Sequence, residues 1–555
     1  MAPAKAGVFI QDACYQHQYI RSKDTSLIVE RPERLRAVKL GVAAAISRIP
    51  SDVANDGDPD DLAAALSRLD IAKEAGTDKV EIIRSTASVD ILHHPAVKFV
   101  HGDLDGDVYM PKIKSWADES RDKIAKGESE IPEGYSQGDL YLCSESIVAI
   151  QGALGTVCEA VDMVVASSSK KDERSGITRA FVAIRPPGHH CGEDTPEGFC
   201  FVNNVAVAAA HAHLQHGINR VVIFDIDLHH GNGTQSIVWQ INEESYRKTL
   251  ESEGGAPDIK PGPRIYYGSI HDILSYPCED GKPQLVQAAS VSIHGAHGQY
   301  IENVHLQTYE SQEHFFDVLY PQRYAGILRK AEQFLDETGG PGDDVLFFIS
   351  CGMDACEHEY ESMSRHNRKV PTSFYYRFTQ DACGLSERYA GGRIISVLEG
   401  GYSDRALTSA TFAHVLGLAD LTPGTVQEDW WSLDNLVLLE KATKKRRGAT
   451  GPVEPWVEKA AGLFASLESG MVKVSGVTPP MSMTLRERKK VGGSVSPTVG
   501  GSPAKKEKSP VRKGRTSLPV AVGDGDSSSS SSNGVEPTKK LPRVILKLGP
   551  NPSAA

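Results

Sequence analysis

The chain of 555 residues is 40% hydrophobic, enough for one large domain or two ordinary ones, and carries a formal net charge of −12. It has no run of about 18 apolar residues, so no membrane span is expected, and its start, MAPAKAGVFIQDACYQHQY, lacks the apolar core of a secretory signal. Its nine scattered cysteines contain no CxxC pair, which argues against a disulfide framework and fits a reduced intracellular chain, nuclear and/or cytoplasmic, with mostly buried thiols.

Residues 99–138 are polar and rich in Gly and Asp, and read as an insertion or long loop. Beyond them, short apolar runs alternate with helical patterns. The runs are RAFVAI (179–184), RVVIFDI (220–226), SVSIH (290–294), DVLFFIS (344–350) and RIISVL (393–398); the helical patterns include 203–216, 321–338, 372–390 and 407–419. Continuous apolar strands alternating with helices predict an α/β fold, a mainly parallel sheet covered on both faces. No internal repeat is found.

The composition changes near residue 470. Residues 471–555 hold 15 Lys and Arg against 5 Asp and Glu, about +10, which leaves the first 470 residues near −22. This segment is rich in Ser, Pro, Gly and Lys and nearly free of aromatics. It cannot bury enough apolar surface to offset its ordering entropy, so a disordered basic tail is expected after a body spanning 1–470. Its clusters RERKK, KKEK and RKGR read first as a solvated tail, and second as a nuclear-import, nucleic-acid or protein contact.

Four apolar runs end in unusual polar residues. The first leads to His189 and His190, the second to Asp225, Asp227 and His229, the third to Asp354 and the fourth to Tyr402. Parallel α/β sheets bind ligands outside the carboxyl ends of their strands, so these loops are expected to converge. In an extended chain Asp225, Asp227 and His229 share a face, while Ile226 and Leu228 enter the packing layer and His230 points away. Two carboxylates and an imidazole suit zinc, and with Asp354 the count for a catalytic zinc is met by Asp227, His229 and Asp354, Asp225 standing behind them.

The pair His189-His190 follows Pro186-Pro187-Gly188 and suits acid–base work near neutral pH. A carboxylate partner favours the charged imidazole and an amide partner does not; Asp225 and Asn232 are the candidates for the two partners. The Tyr402 hydroxyl could serve an oxyanion, although a tyrosine after a Gly-Gly turn is most often a packing residue. A third pair, His93-His94, has neither a nearby partner acid nor a strand end before it, and reads as an ordinary loop or helix-end feature.

Together, RPPGHHCGEDTPEGFCFVNNVA, FDIDLHHGNGTQ, SCGMDA and LEGGY resemble the zinc-dependent histone deacetylases of class II. The segment 99–138 followed by EGYSQGDLYLC is similar to the fungal Hos-type branch. The resemblance covers roughly residues 5–425 and implies an arginase-like three-layer α/β/α fold. It implies Zn²⁺ on Asp227, His229 and Asp354, catalytic roles for His189, His190 and Tyr402, and orientation of the two histidines by Asp225 and Asn232. It also implies a structural monovalent cation such as K⁺ beside Asp225. Phe199 and Tyr276 correspond to walls of an acetyl-lysine tunnel, Asp139 to a rim aspartate that grips the substrate backbone, and Arg34 in RPERL to an arginine near a product-release pocket.

The implied partners are acetylated histone or other protein tails. A deacetylase of polyamines or other small amides on the same fold is the first rival, and a non-catalytic acetyl-lysine-binding scaffold the second. A two-manganese hydrolase would need more clustered acids than this chain offers. The sequence leaves a homo-oligomer open.

Overall fold

The computed structural model describes residues 5–50, 77, 79–102, 108–168, 176–255, 262–444 and 454–469. The basic segment 471–555 lies outside the described residues, and so does the expectation that it is disordered.

Nine strands form one sheet: β1 (Lys5–Gln11), β2 (Val80–Ser85), β3 (Ile177–Ala183), β4 (Arg220–Asp225), β5 (Arg264–His271), β6 (Ser292–His294), β7 (Tyr300–His305), β8 (Val345–Cys351) and β9 (Ile394–Leu398). Their order is β2-β1-β3-β9-β8-β4-β5-β7-β6. Every pairing is parallel except that of β6 with β7. Strands β4, β8 and β9 are buried along their whole length, which is why they read as unbroken apolar runs.

The larger helices are α1 (Glu33–Arg48), α2 (Pro95–His101), α3 (Tyr109–Ala125), α4 (Ser146–Ser168), α5 (Asn204–His216), α6 (Asn232–Glu253), α7 (Gly326–Glu337), α8 (Ser373–Ala390), α9 (Asp404–Leu418), α10 (Leu433–Thr443) and α11 (Pro455–Ser469). Helix α9 packs on α1 and α8, and α11 on α1, in one layer; α4, α5 and α6 make the other. The caps are local. Asn203 accepts the Ala206 N–H ahead of α5, Gly217 closes that helix at φ 68°, and Ser403 accepts the Ala406 N–H ahead of α9.

Several expectations need correction. Residues 99–138 are not simply a loop: α3 lies within them and buries Tyr109, Met110, Ile113, Trp116 and Ala117. Those side chains join Val97, Leu154 and Val207 in a second apolar cluster. The run 290–294 yields only β6, a short edge strand with its side chains partly exposed. The pattern at 321–338 splits into a π-helical stretch, Phe315–Tyr324, which contains Pro321, and then α7. Strands β1, β2, β5 and β7 carry no mark in the sequence reading. Helix α4 is long and apolar enough to cross a membrane, with mean hydropathy 1.5 over its best window, yet 72% of that window is buried in the protein. That burial makes it a core helix. All nine cysteines are free and buried, as expected.

Candidate metal centre and active site

The four loops that carry the candidate residues leave β3, β9, β8 and β4, which are consecutive neighbours in the sheet. His189, Tyr402, Asp354 and Asp227 are thereby brought to one end of one central stretch of sheet, as the strand-end rule requires.

Strand β4 ends at Asp225, yet the alternation predicted for it persists. Ile226 and Leu228 are in the core, and Asp227 and His229 turn toward Asp354. His230 departs: its Nε2 meets Gln235 Oε1 at 2.9 Å and its ring packs on His271. His229 Nδ1 lies 3.2 Å from Asp227 Oδ1 and 3.0 Å from Asp354 Oδ2. Backbone amides hold both carboxylates: Leu228 N–H donates to Asp354 Oδ1 at 2.9 Å and Gly400 N–H to Asp227 Oδ2 at 2.8 Å. Two glycines make that approach possible. A Cβ at Gly352 would overlap the Asp227 carboxylate, and one at Gly400 would collide with both carboxylates.

Donor atoms of Asp227, His229 and Asp354 all lie within 4.8 Å of one another, and the three residues are buried. Burial and the neighbouring Asp227 push the Asp354 carboxyl up. Burial opposes charge on His229, but Asp354 and Asp227 outweigh it and raise the imidazole to about 10. A buried group that draws a proton so strongly is short of positive charge, and a divalent cation fits it. One imidazole and two carboxylates, without sulfur, are a donor set zinc accepts with a position left open.

The tandem histidines have unlike partners. His189 Nδ1 donates to Asp225 Oδ2 at 3.2 Å, and Nε2 lies 3.7 Å from Asp227 Oδ1. Tyr267 donates to the same Asp225 oxygen at 3.0 Å. Burial works against an imidazolium here, yet Asp227 and Asp225 hold His189 up at about 10. His190 Nδ1 faces Asn232 Oδ1 at 2.7 Å, while Asn232 Nδ2 donates to Glu197 Oε2 at 2.7 Å. Glu197 thus fixes which way the Asn232 amide points, so His190 donates from Nδ1 and keeps its lone pair on Nε2. Burial, with His189 and His229 nearby, pushes the His190 pKa well down. The carboxylates favour charge on one ring, and burial with the neighbouring imidazoles disfavours it on the other, whose centroid lies 4.1 Å away.

Tyr402 is 4% exposed, with the Arg34 guanidinium 5.0 Å from its ring centroid and the Phe199 ring 5.7 Å away, edge-on. Glu359 accepts the N–H groups of Tyr402 and Ser403 at 2.7 and 2.8 Å and so fixes the turn. Burial, then Asp354, pushes the phenol far up, so it remains a donor. Phe199 sits at φ 68°, after Gly198, where a Cβ would collide with the His190 ring. Tyr276 meets His190 edge-on at 5.0 Å. Phe199 and Tyr276, both half-buried, therefore flank the site from the Tyr402 and His190 sides. Asp139 is half-buried, accepts from Ser136 at 2.7 Å, and is close enough to raise the Tyr276 phenol, after burial and Glu197. Arg34 is fully buried beneath the turn. It donates to Gly401 O at 2.6 Å and to Glu399 O, and pairs with Glu30 at 3.0 Å.

The histone deacetylase domain model matches residues 69–418. This chain belongs to the histone deacetylase family. Every site residue named above from Asp139 to Tyr402 lies in the matched span, and Arg34 precedes it. Histone deacetylase HOS3 of Saccharomyces cerevisiae is 36% identical over 455 residues, covering 78% of this chain and 59% of that protein, which agrees with the Hos-type branch. Type-2 histone deacetylase 2 of Dictyostelium discoideum is 32% identical over 273 residues, 48% of this chain and 13% of its own. The chain thus spans about three fifths of the length of the yeast relative. The HDA15 HD domain superposes with TM-score 0.47 at 22% identity, covering 83% of this chain and 99% of that one.

Within this deacetylase domain, four supporting residues escaped the sequence reading: Glu197, Tyr267, Glu359 and Glu399. Glu399 lies inside LEGGY, and accepts the Gly188 and His189 N–H groups at 2.7 and 3.2 Å. Its carboxyl is raised to about 7, by burial first. Glu399, in LEGGY, and Glu197, in RPPGHHCGEDTPEGF, lay in motifs that could have pointed to them; Tyr267 and Glu359 did not. His93, read as lacking an acid, meets Asp90 Oδ2 at 2.6 Å, and His94 is the N-cap residue of α2. The helix-end reading holds and the statement about acids does not.

Proposed function

We propose that this protein hydrolyses Nε-acetyl-lysine in histone or other protein tails, releasing acetate and a free lysine, and acts in chromatin and transcriptional repression. The observation that carries the reading is the pairing of a buried Asp-His-Asp cluster with two adjacent histidines, one paired with a carboxylate and one with an amide. Asp227, His229 and Asp354 would hold Zn²⁺, which when bound polarises the acetyl carbonyl and acidifies a water.

The chain's own groups supply the rest. His190, neutral with its lone pair on Nε2, takes a proton from the attacking water as the carbon–oxygen bond forms. Tyr402 donates its hydroxyl hydrogen bond to the oxygen on which negative charge develops. His190 then returns the proton to the lysine nitrogen as the carbon–nitrogen bond breaks. His189, held charged by Asp225, favours the negative charge of that passage and helps keep His190 neutral at rest. Phe199 and Tyr276 would wall the acetyl-lysine side chain, Asp139 would meet the substrate backbone at the rim, and Arg34 would line the exit for acetate. A structural monovalent cation such as K⁺ beside Asp225 belongs to the same proposal; replacing K⁺ by a large organic cation should then lower the melting temperature.

In this reading residues 1–470 are the catalytic body. The basic segment 471–555 is a separate contact for nucleic acid or protein, in the nucleus and/or cytoplasm, and its removal should abolish salt-sensitive nucleic-acid binding while leaving peptide hydrolysis intact. The deciding assay is hydrolysis of acetyl-lysine histone peptides by the full chain, before and after chelation and after zinc is returned, with acetylated spermidine in parallel. Peptide hydrolysis lost on chelation and restored by zinc supports the proposal. A metal-loaded protein that cleaves only the polyamine, or neither substrate, overturns it.

A further inference from the structure

Besides the Asp227 cluster, the described residues contain a second place where histidine, cysteine and carboxylate donors converge, and it shares no residue with the first. It joins α2, α4 and α5. His94 caps the N-terminus of α2. Cys158 and Asp162 lie four residues apart on α4 and so on one face of it. His211 and His216 lie in the second half of α5. Donor atoms of His94, Cys158 and His211 all lie within 4.8 Å of one another, and so do those of Asp162, His211 and His216.

Hydrogen bonding orients the rings of this group. His211 is 8% exposed, and its Nε2 lies 2.8 Å from Asp162 Oδ1. That carboxylate can only accept, so His211 donates from Nε2 and its lone pair rests on Nδ1. Nδ1 of His211 is buried and has no partner, and the same holds for Nδ1 of His94. The two rings stack with centroids 5.7 Å apart. Two unpartnered imidazole nitrogens in one group, with a thiol among the neighbours, would cost stability if nothing filled the space between them. His216 Nε2 lies 2.6 Å from the same Asp162 oxygen, so that carboxylate is held by two histidines.

We propose that His94, Cys158 and His211 bind a second metal ion, of the zinc class, with Asp162 as the carboxylate that orients His211. Two neutral imidazoles and one thiolate form a borderline-soft set that zinc accepts at about 2.0–2.1 Å to nitrogen and about 2.3 Å to sulfur. The carboxylate behind a metal-bound histidine is the arrangement that fixes tautomer and ring orientation in metal sites. On one side of the cluster Asp162 is 52% and His216 24% exposed at the side chain, so the group borders solvent. Bound there, the metal clamps α2 to α4 and α5 over the second apolar cluster, which holds Val97, Leu154 and Val207.

The sulfur separates this site from the Asp-His-Asp cluster, which has none. The full-length protein should carry two zinc ions per chain by elemental analysis, and Cys158→Ser should carry one. After cobalt replaces zinc, the wild type should show a thiolate-to-cobalt charge-transfer absorption that Cys158→Ser lacks and Asp354→Asn keeps. Cys158→Ser should retain peptide hydrolysis within about twofold, so failure here is distinct from failure of the deacetylase reading. Should Cys158→Ser not fold by circular dichroism, His94→Gln, half-buried at a helix start, replaces it with the same expectation. Wild-type protein with no thiolate band, or a band that persists in Cys158→Ser (or in His94→Gln where that variant replaces it), overturns the proposal.

Discussion

Tyr402→Phe isolates a single atom of the proposed mechanism. The ring keeps its place in the variant: Arg34 still lies over it and Phe199 still meets it edge-on. The backbone keeps its place too, because Glu359 binds the Tyr402 and Ser403 N–H groups and not the phenol. Among the described residues no group hydrogen-bonds the hydroxyl, so deleting it leaves no buried partner stranded. The stability change should stay under about 1 kcal/mol, a melting shift of no more than about 4 °C. What is lost is one donor to the developing oxyanion, about 2.7–4 kcal/mol of barrier. At about 1.36 kcal/mol per decade that is about two to three decades in kcat. The assay is steady-state hydrolysis of an acetyl-lysine peptide with kcat and KM measured separately beside a melting curve. KM should move far less than kcat, because the donor acts on charge absent from the ground state. A variant that melts like the wild type and turns over within threefold of it removes Tyr402 from the chemistry.

Other positions give independent checks. His414, fully buried in α9, faces the Thr379 hydroxyl through Nδ1 while its Nε2 has no partner, and burial lowers its pKa to about 3. Because the folded value is depressed below about 6.5, its stability contribution is complete above that pH and is lost as pH falls toward 3; His414→Gln should therefore flatten the stability–pH slope by about 1.4 kcal/mol per unit between pH 6 and 4, and an unchanged slope in denaturant titrations refutes this. Glu30, fully buried, pairs with Arg34 at 3.0 Å and Arg185 at 2.5 Å, and although burial pushes its pKa up, the two guanidinium groups hold it well below the usual carboxylate range. Glu30→Gln strands two buried cations and should cost about 3–5 kcal/mol, read as a fall in the denaturation midpoint; no fall would contradict it. Gly352→Ala places a methyl group in the Asp227 carboxylate and should lose catalytic-site metal and activity while keeping native circular dichroism, and a variant with wild-type metal content would refute the tight approach.

What the sequence made legible follows from locality. Asp225, Asp227 and His229 share a strand and its continuation, and a period of two is enough to sort them from Ile226, Leu228 and His230. The tandem histidines and Asp354 could be placed because apolar strands stop abruptly just before them. The long helices were harder. Helix α4 is apolar nearly all round, so it lacks the one-sided stripe that marks a helix, and α3 is marked mainly by a face that meets another part of the chain. Strand β5, RIYYGSIH, has aromatics and a glycine where a plain apolar run would have been recognised.

Some through-space partners left no local mark. Glu359 acts on Tyr402 from 43 residues away, in an irregular segment with no period to read. The same blindness governed His93-His94. Asp90, three residues before His93, is a local acid, whereas Cys158 and His211 come to His94 only when α4 and α5 pack beside α2. A histidine's chemistry depends on what its two nitrogens meet, and for His94 the fold supplies the cysteine and the second histidine while leaving Nδ1 unsatisfied. That unpartnered nitrogen beside a cysteine and a second histidine, more than the histidine pair itself, is what motivates the proposed second site.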